Sequence, residues 1–525
     1  MQLAVAKSVQ WLFLLGSACA CSSNSSDAVS TGNTSTGGRI SAPTTAVGGG
    51  GGFATGSASA AGGTASGGAA VASGGAAVAS GGISSTAATG GTQATGGTRA
   101  SGGTSSTAAT DGTRASGGTS STAATGGTRA SGGTSSTAAT GGTRASGGTS
   151  SNYPFPQNTR SAYCSYPHDA AVADVVAAYA DWKAAVVTPD GASGFLRVKK
   201  PDSGSVIGST VSEGIGYGML LAVYMGDQET FDNLWLYEQS HLDSNGLMNW
   251  EVGPDNKTTS GGSGAATDGD EDMAFALVMA DRQWGTSIKL TDTYLNYAKS
   301  LIDRIWKYEV DQVRGFMLKP GDQWGDVDVT NPSYFAPAYY RVFGEVTGNT
   351  QNWNKVVDSS YSIIAKSLNS ASGNQGNGLV PAWCNSSGTP VEAYSGAPLF
   401  FQNDSTRTPF RLGQDYCYFG EDRARVYLTK ISTFYTAVGV TKITNGYNLD
   451  GTPHPEKDYG NLQAASFVGP AAVAAMSSPL NQQFINDAYA EVATLKLSAG
   501  TIYYQKSWTA LSLLMLTGNF VVFGL

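Results

Sequence analysis

An all-α body of twelve helices, preceded by a long segment with almost nothing to pack, is the fold this sequence predicts. Three observations carry it. Apolar residues at three- and four-residue spacing recur in twelve stretches after residue 169, and runs of period two are scarce. The first 150 residues are mostly Gly, Ser, Thr and Ala. Twelve helices in one body suggest six helical hairpins, and periodicity alone leaves open whether they close into a ring.

The extreme N-terminus, residues 1–21, reads as a secretion signal. Lys7 precedes an apolar run at 9–18, and small residues surround Cys19 and Cys21. The run is shorter than the roughly 20 residues a bilayer span needs, and no later stretch reaches that length, so no transmembrane helix is expected. A lipid anchor at Cys19 or Cys21 is the alternative to cleavage. Small residues and a following Ser favour it, and the missing apolar residue three positions upstream counts against it. Both readings place the protein outside the cell, free or on a bacterial surface.

Residues 22–152 read as a linker. Between 96 and 148 the unit GGTRASGGTSSTAAT recurs every 15 residues, marked by Arg99, Arg114, Arg129 and Arg144. A solenoid built from it would bury nothing, because the unit has no large apolar residue. A flexible tether spanning on the order of 60 Å is the physical expectation.

Aromatic residues become frequent at Tyr153, and residues 153–525 suffice for one large core. The first helix is expected at 170–186, with Val172, Val175, Val176, Tyr179 and Trp182 on one face. Eleven more follow at 213–225, 228–241, 270–284, 291–309, 333–346, 350–368, 404–419, 420–438, 461–476, 480–495 and 505–517, joined by Gly-, Asn- and Asp-rich loops.

Composition narrows the chemistry. Residues 1–152 hold Lys7, Arg39 and the four repeat arginines against Asp27 and Asp111, so the body carries 25 basic and 37 acidic side chains, a net of −12. That balance disfavours nucleic acid. It is compatible with a neutral polymer and would suit a cationic one. Cys164, Cys384 and Cys417 are an odd set at wide spacing, read as small buried hydrophobes with room for one bridge at most. The three histidines are isolated, which argues against a His triad or a His-rich metal site. No cofactor or metal is expected.

What remains is carboxylates and aromatics. In TVSEGIGYGM, Glu213 stands beside Gly214, Gly216 and Gly218, an arrangement that lets backbone approach a ligand. Thr210 and Glu213 also have capping-box spacing, the commoner meaning locally. In ATDGDEDMAFA, Asp268, Asp270, Glu271 and Asp272 crowd a helix start. That favours the helix dipole and also offers carboxylates for acid–base work. An EF-hand reading fails, since Met273 and Met279 stand where Gly and Glu are needed. In NDSTRTPFR, Asp404 and Arg407 at i, i+3 have an ordinary surface pair as their alternative. Trp250, Trp324, Tyr334, Tyr503 and Tyr504 flank these clusters as candidate sugar platforms, core packing being the commoner role of any one ring.

Together these segments resemble glycoside hydrolase family 8, particularly its bacterial endoglucanases. The matching pieces run in order: SEGIGYGMLLAV, FDNLW, NGLMNW, ATDGDEDMAFALVMADRQWG, LKPGDQWGDVDVTNPSYFAPAYYRVF, GLVPAWC, ASFVGPAAVAAM and LLMLTGNF. The resemblance implies an (α/α)6 barrel and an inverting, two-carboxylate mechanism. By position it implies Glu213 as proton donor, Asp268 against the sugar at the cleavage site, Asp404 as general base with Arg407 beside it, and Tyr334 holding the attacking water. Trp250, Trp324 and Tyr503 or Tyr504 fall where sugars stack, and Tyr217 and Asp270 belong to the same substrate-binding segments. Asn403 stands where family endoglucanases often have Tyr, which makes the 398–411 segment the weakest match of the three.

The expected activity is endo-β-1,4-glucan hydrolysis by a secreted monomer whose partner is the polysaccharide. Xylan, mixed-linkage β-glucan and chitosan are the alternative substrates. A non-catalytic carbohydrate-binding surface protein is the alternative from another class, and it would be marked by a lost acid.

Overall fold

The computed structural model describes residues 151–204, 206–323, 328–455, 462–495 and 502–525. The expected signal, nearly all of the expected linker, and Trp324 lie outside the described residues.

Among the described residues twelve α-helices follow in order: α1 Val172–Val186, α2 Ser212–Met225, α3 Gln228–Gln239, α4 Thr267–Trp284, α5 Tyr294–Tyr308, α6 Pro337–Thr347, α7 Thr350–Ser367, α8 Arg407–Phe419, α9 Asp422–Val438, α10 Ala465–Ala475, α11 Gln482–Thr494 and α12 Ile502–Leu516. Most start or stop within a few residues of expectation. The departures that bear on the site come before α6 and α8. Residues Pro332–Tyr334 form a separate 3-10 turn, and 403–406 form turns that leave Asp404 outside the helix. Strand structure among the described residues is confined to three antiparallel pairs of two-residue strands and a few isolated bridges.

Burial alternates along the chain and sorts the helices into two layers. Helix α10 is buried at all eleven positions, whereas the fifteen-residue α1 buries only Val175, Tyr179, Trp182 and Val186. A helix apolar all round belongs inside, and one with a single apolar stripe belongs outside. The even-numbered helices form the inner ring, α2–α4–α6–α8–α10–α12, which closes where α12 meets α2. The odd-numbered helices lie outside it: α3 on α2, α5 on α4, α7 on α6, α9 on α8, α11 on α10 and α1 on α12. This is an (α/α)6 barrel.

The hairpins turn tightly because their sequences stop helices sharply. Gly226 ends α2 at φ 74°, a left-handed conformation that costs other residues energy. Asp227 then starts α3 by accepting the Thr230 N–H at 3.1 Å.

The glycines of the Glu213 segment have a different use from the ligand approach expected of them. A Cβ on Gly216 would lie 2.8 Å from Asp272 Cβ and 3.1 Å from the Gly269 carbonyl oxygen. A Cβ on Gly269 would lie 2.7 Å from the Ser212 carbonyl carbon. These glycines let α2 and α4 meet backbone to backbone. Gly218 makes room for Leu234 and Gly214 for the Tyr503 ring.

The reading of all three body cysteines as isolated buried hydrophobes also needs correction. Cys164 and Cys417 form a disulfide across 253 residues, tying the N-terminal segment to α8, and only Cys384 is free and buried. Sequence spacing carries no information about so distant a pairing.

Candidate active site

Four inner helices bring their N-termini to the same end of the barrel, and the site is built from their first residues. Glu213 is the second residue of α2, Asp268 the second of α4, Arg407 the first of α8 and Tyr503 the second of α12. Helix N-termini favour negative charge, so they suit a set of carboxylates. The Thr210–Glu213 capping box does not form. Thr210 lies in a strand paired with Val252, its hydroxyl accepts from Arg197, and α2 has no side-chain cap.

Arg407 is the hub. Its Nη1 donates to Glu213 Oε2 at 2.6 Å and to Asp268 Oδ2. Its Nη2 donates to Asp404 Oδ1 at 3.3 Å, and its Nε donates to Ser333 Oγ at 3.1 Å. The face of the guanidinium lies over the Tyr334 ring, 4.9 Å from its centroid. The Asp404–Arg407 pair is therefore no surface pair, since the Arg407 side chain is 1% exposed.

Each carboxylate has further partners. The Tyr503 hydroxyl donates to Glu213 Oε1 at 2.7 Å. The Gly269 N–H donates to Asp268 Oδ1 at 2.9 Å. Gln402 Nε2 donates to Asp404 Oδ2 at 2.9 Å, and Asn331 Oδ1 accepts from the Ser333 hydroxyl at 2.7 Å. Side-chain exposure separates their roles: 17% for Glu213 and 29% for Asp404, against 5% for Asp268. The first two carboxylates open outward while the third is closed in.

Burial pushes the Glu213 carboxyl up to about 7, with Arg407 opposing and the Asp268 charge reinforcing the rise. Burial also raises the Asp404 carboxyl, against the pull of Arg407 and Gln402. An acid that keeps its proton near neutral pH beside a second, more exposed carboxylate is the arrangement general acid–base catalysis needs. The Tyr334 phenol is pushed well up by burial and then by Asp268, so it remains a hydroxyl.

Other expected residues are placed differently. Asp270, two positions along α4 from Asp268, points to the opposite side of the helix. It is fully buried against Glu309 and Glu238 rather than facing a substrate. Tyr217 is 2% exposed, packed between Tyr503 and Trp508 beneath the carboxylates. Tyr503 is equally buried and serves Glu213. Its neighbour Tyr504, turned about 100° around α12, is half-buried and donates to the Asn403 carbonyl at 2.8 Å. Trp250 lies against the start of α2, its carbonyl accepting the Ser212 N–H and its indole N–H held by the Gly261 carbonyl. Sequence reasoning missed Ser333, Asn331 and Gln402. The first two lie in the NPSYF segment already singled out for Tyr334.

The family model for Glycosyl hydrolases family 8 matches residues 155–518. Endoglucanase A of Acetivibrio thermocellus is 41% identical over 346 residues, covering 66% of this chain and 69% of that protein. Endoglucanase C of Ruminiclostridium cellulolyticum is 39% identical over 340 residues, covering 65% and 70%. Among solved structures, the apo β-1,3-1,4-glucanase from Paenibacillus sp. X4 superposes with a TM-score of 0.63 at 31% identity, over 70% of this chain and 98% of that one.

Proposed function

The chain belongs to glycosyl hydrolases family 8, and from that premise we propose that it is a secreted endo-β-1,4-glucanase acting with inversion. The observation that carries the reading is the convergence of Glu213, Asp268 and Asp404 on the single buried Arg407. Glu213 protonates the leaving glycosidic oxygen. Asp404 takes a proton from a water attacking the opposite face of the sugar, with the Tyr334 hydroxyl as that water's second contact. Asp268 stabilises the positive charge that develops at the anomeric carbon.

Arg407 reaches Glu213 and Asp404 through different terminal nitrogens, which keeps the two acids apart on one guanidinium. An inverting pair needs such a gap, about 6.5–9.5 Å, to hold its water. Of the described candidate rings, Tyr504 is half-buried and is assigned to the sugar chain, whereas Trp250 is only 9% exposed; Trp324 is assigned the same role as Tyr504 from the sequence. Export is supported by the leader-like residues 1–21 and by the Cys164–Cys417 disulfide, a bond suited to an oxidising compartment.

Endoglucanase is the name of the relatives at about 40% identity, which favours β-1,4-glucan. The 31%-identical β-1,3-1,4-glucanase supports mixed-linkage β-glucan as a second reading. Reducing-sugar release from carboxymethylcellulose, lichenan, xylan and chitosan tests both. Carboxymethylcellulose is expected to be cleaved, lichenan alone would shift the assignment to the second reading, and xylan or chitosan alone would overturn both. Glu213→Gln should lower kcat by about 10²–10⁴-fold; activity within a few-fold of wild type would remove Glu213 from the acid's role.

A further inference from the structure

The arginine that gathers the site carboxylates has a counterpart one helical turn deeper. Arg411 follows Arg407 by four residues on α8, and Asp272 follows Asp268 by four on α4, so each pair shares a helix face. Arg411 Nη1 stands 3.0 Å from Asp272 Oδ1 and 3.1 Å from Glu271 Oε1. Helices α4 and α8 are separated in the ring by α6, so both rungs cross the barrel interior. The α6 region floors each one: the Tyr334 ring lies under Arg407, and the Tyr339 ring lies 5.6 Å from the Arg411 guanidinium. The Tyr340 hydroxyl donates to Glu271 Oε2 at 3.0 Å.

Nothing in the lower rung touches a sugar, since Arg411, Glu271 and Asp272 are each at most 3% exposed. Replacing a buried ionic cluster by apolar side chains is often neutral or favourable for stability, so stability alone is a weak reason for it. We propose that Arg411 and Asp272 are positioning residues whose charges, one turn beneath Asp268, set the proton affinity of Glu213. This rests on Glu213 being the acid.

The argument is electrostatic. Five carboxyl groups and two guanidinium groups share the two rungs, so the proton balance of one carboxyl depends on the others. Asp272 is faced by Arg411 and Arg407 from α8, by Asp268 and Glu271 on its own helix, and by Tyr339 from α6; on α2 Gly216 lies against its Cβ. Glu213 is faced by Arg407 and Asp404 on the α8 side, Asp268 on α4, Tyr334 on the 3-10 turn before α6, Tyr503 and Tyr504 on α12, and Tyr217 on its own helix. Burial lifts the Asp272 carboxyl to about 6, with Arg411 opposing. Arg411 Nη1 donates to Asp272 Oδ1 at 3.0 Å, a charge-assisted bond that favours the ionised Asp272 carboxylate. Removing the Asp272 charge leaves Arg411 less compensated, and an uncompensated cation favours ionised Glu213.

The test is the pH dependence of kcat/KM on a soluble β-glucan for wild type and Asp272→Asn. The alkaline limb, which reports the acid in free enzyme, should move down by about one unit in the variant. A limb that stays in place or moves up, in a variant that melts cooperatively, overturns the proposal. Asp272→Ser removes the same charge with less bulk and carries the test if the Asn variant does not fold. If neither folds, the rung is a folding element and the proposal falls. A wild type inactive on every β-glucan would overturn the proposed function instead, so the two failures are distinguishable.

Discussion

Tyr503 donates a 2.7 Å hydrogen bond to Glu213 Oε1 from the first turn of α12, while Arg407 holds Oε2 at 2.6 Å from α8. Two donors on one carboxyl group both stabilise its anion and aim it. Gly214 is what permits the contact, because a Cβ there would come within 3.1 Å of the Tyr503 ring.

Tyr503→Phe therefore removes a bond that lowers the proton affinity of Glu213. The alkaline limb of kcat/KM should rise by about one unit, opposite in sign to the shift from Asp272→Asn. The maximal kcat should fall several-fold as Glu213 loses a constraint on its aim. A limb that moves down would show that the hydroxyl favours the protonated acid instead.

Asp404 is the more exposed of the two open carboxylates and is held by Gln402 and Arg407. Asp404→Asn should lower kcat by at least about 10²-fold with little change in KM, and should abolish the acid limb of the pH profile. Proton NMR of the first-formed product from wild type should show the α-anomer at the new reducing end. The β-anomer appearing first would mean retention, with Asp404 acting as nucleophile or not at all.

The helical layout was legible because burial alternates so regularly along the chain. Inner helices such as α10 are apolar on every face, and outer ones such as α1 carry a single stripe. Ring closure, by contrast, depends on α12 meeting α2, a contact between the ends of the body with no local signature. Glu213, Asp268, Asp404 and Arg407 could be named from motifs. That a single guanidinium joins the three acids could not, because 139 residues separate Arg407 from Asp268 and 194 from Glu213. Adjacent residues also parted company for a geometric reason. Tyr503 and Tyr504 looked interchangeable in sequence, yet 100° of helix rotation sends one to Glu213 and the other to the Asn403 carbonyl. Two such steps, about 200°, took Asp270 away from the site.

Gly216 tests the account of the glycine run as helix packing. Gly216→Ala places a methyl group 2.8 Å from Asp272 Cβ and 3.1 Å from the Gly269 carbonyl oxygen. The gain in helix propensity is at most about 1 kcal/mol, and overpacking costs about 1–3 kcal/mol. Urea denaturation should therefore show a lower midpoint at unchanged slope. A variant as stable as wild type would mean that α2 and α4 can separate, and that the glycines serve another purpose.

Glu213 should also cost the fold stability in a pH-dependent way. Its carboxyl is raised in the folded state from 4.5 to about 7, so between those values the folded chain holds a proton that the unfolded chain has lost. Unfolding free energy falls with rising pH across that window: the penalty is absent below about pH 4.5 and complete above about pH 7. Glu213→Gln removes the penalty, so the Tm of the variant relative to wild type should climb from pH 4 to pH 8. The gain should be on the order of a few kcal/mol at most, since Arg407 loses one of its three carboxylate partners. Differential scanning calorimetry at matched ionic strength reads it directly. A Tm difference independent of pH would place the proton elsewhere in the Arg407 cluster, and Asp404 would be the next residue to titrate.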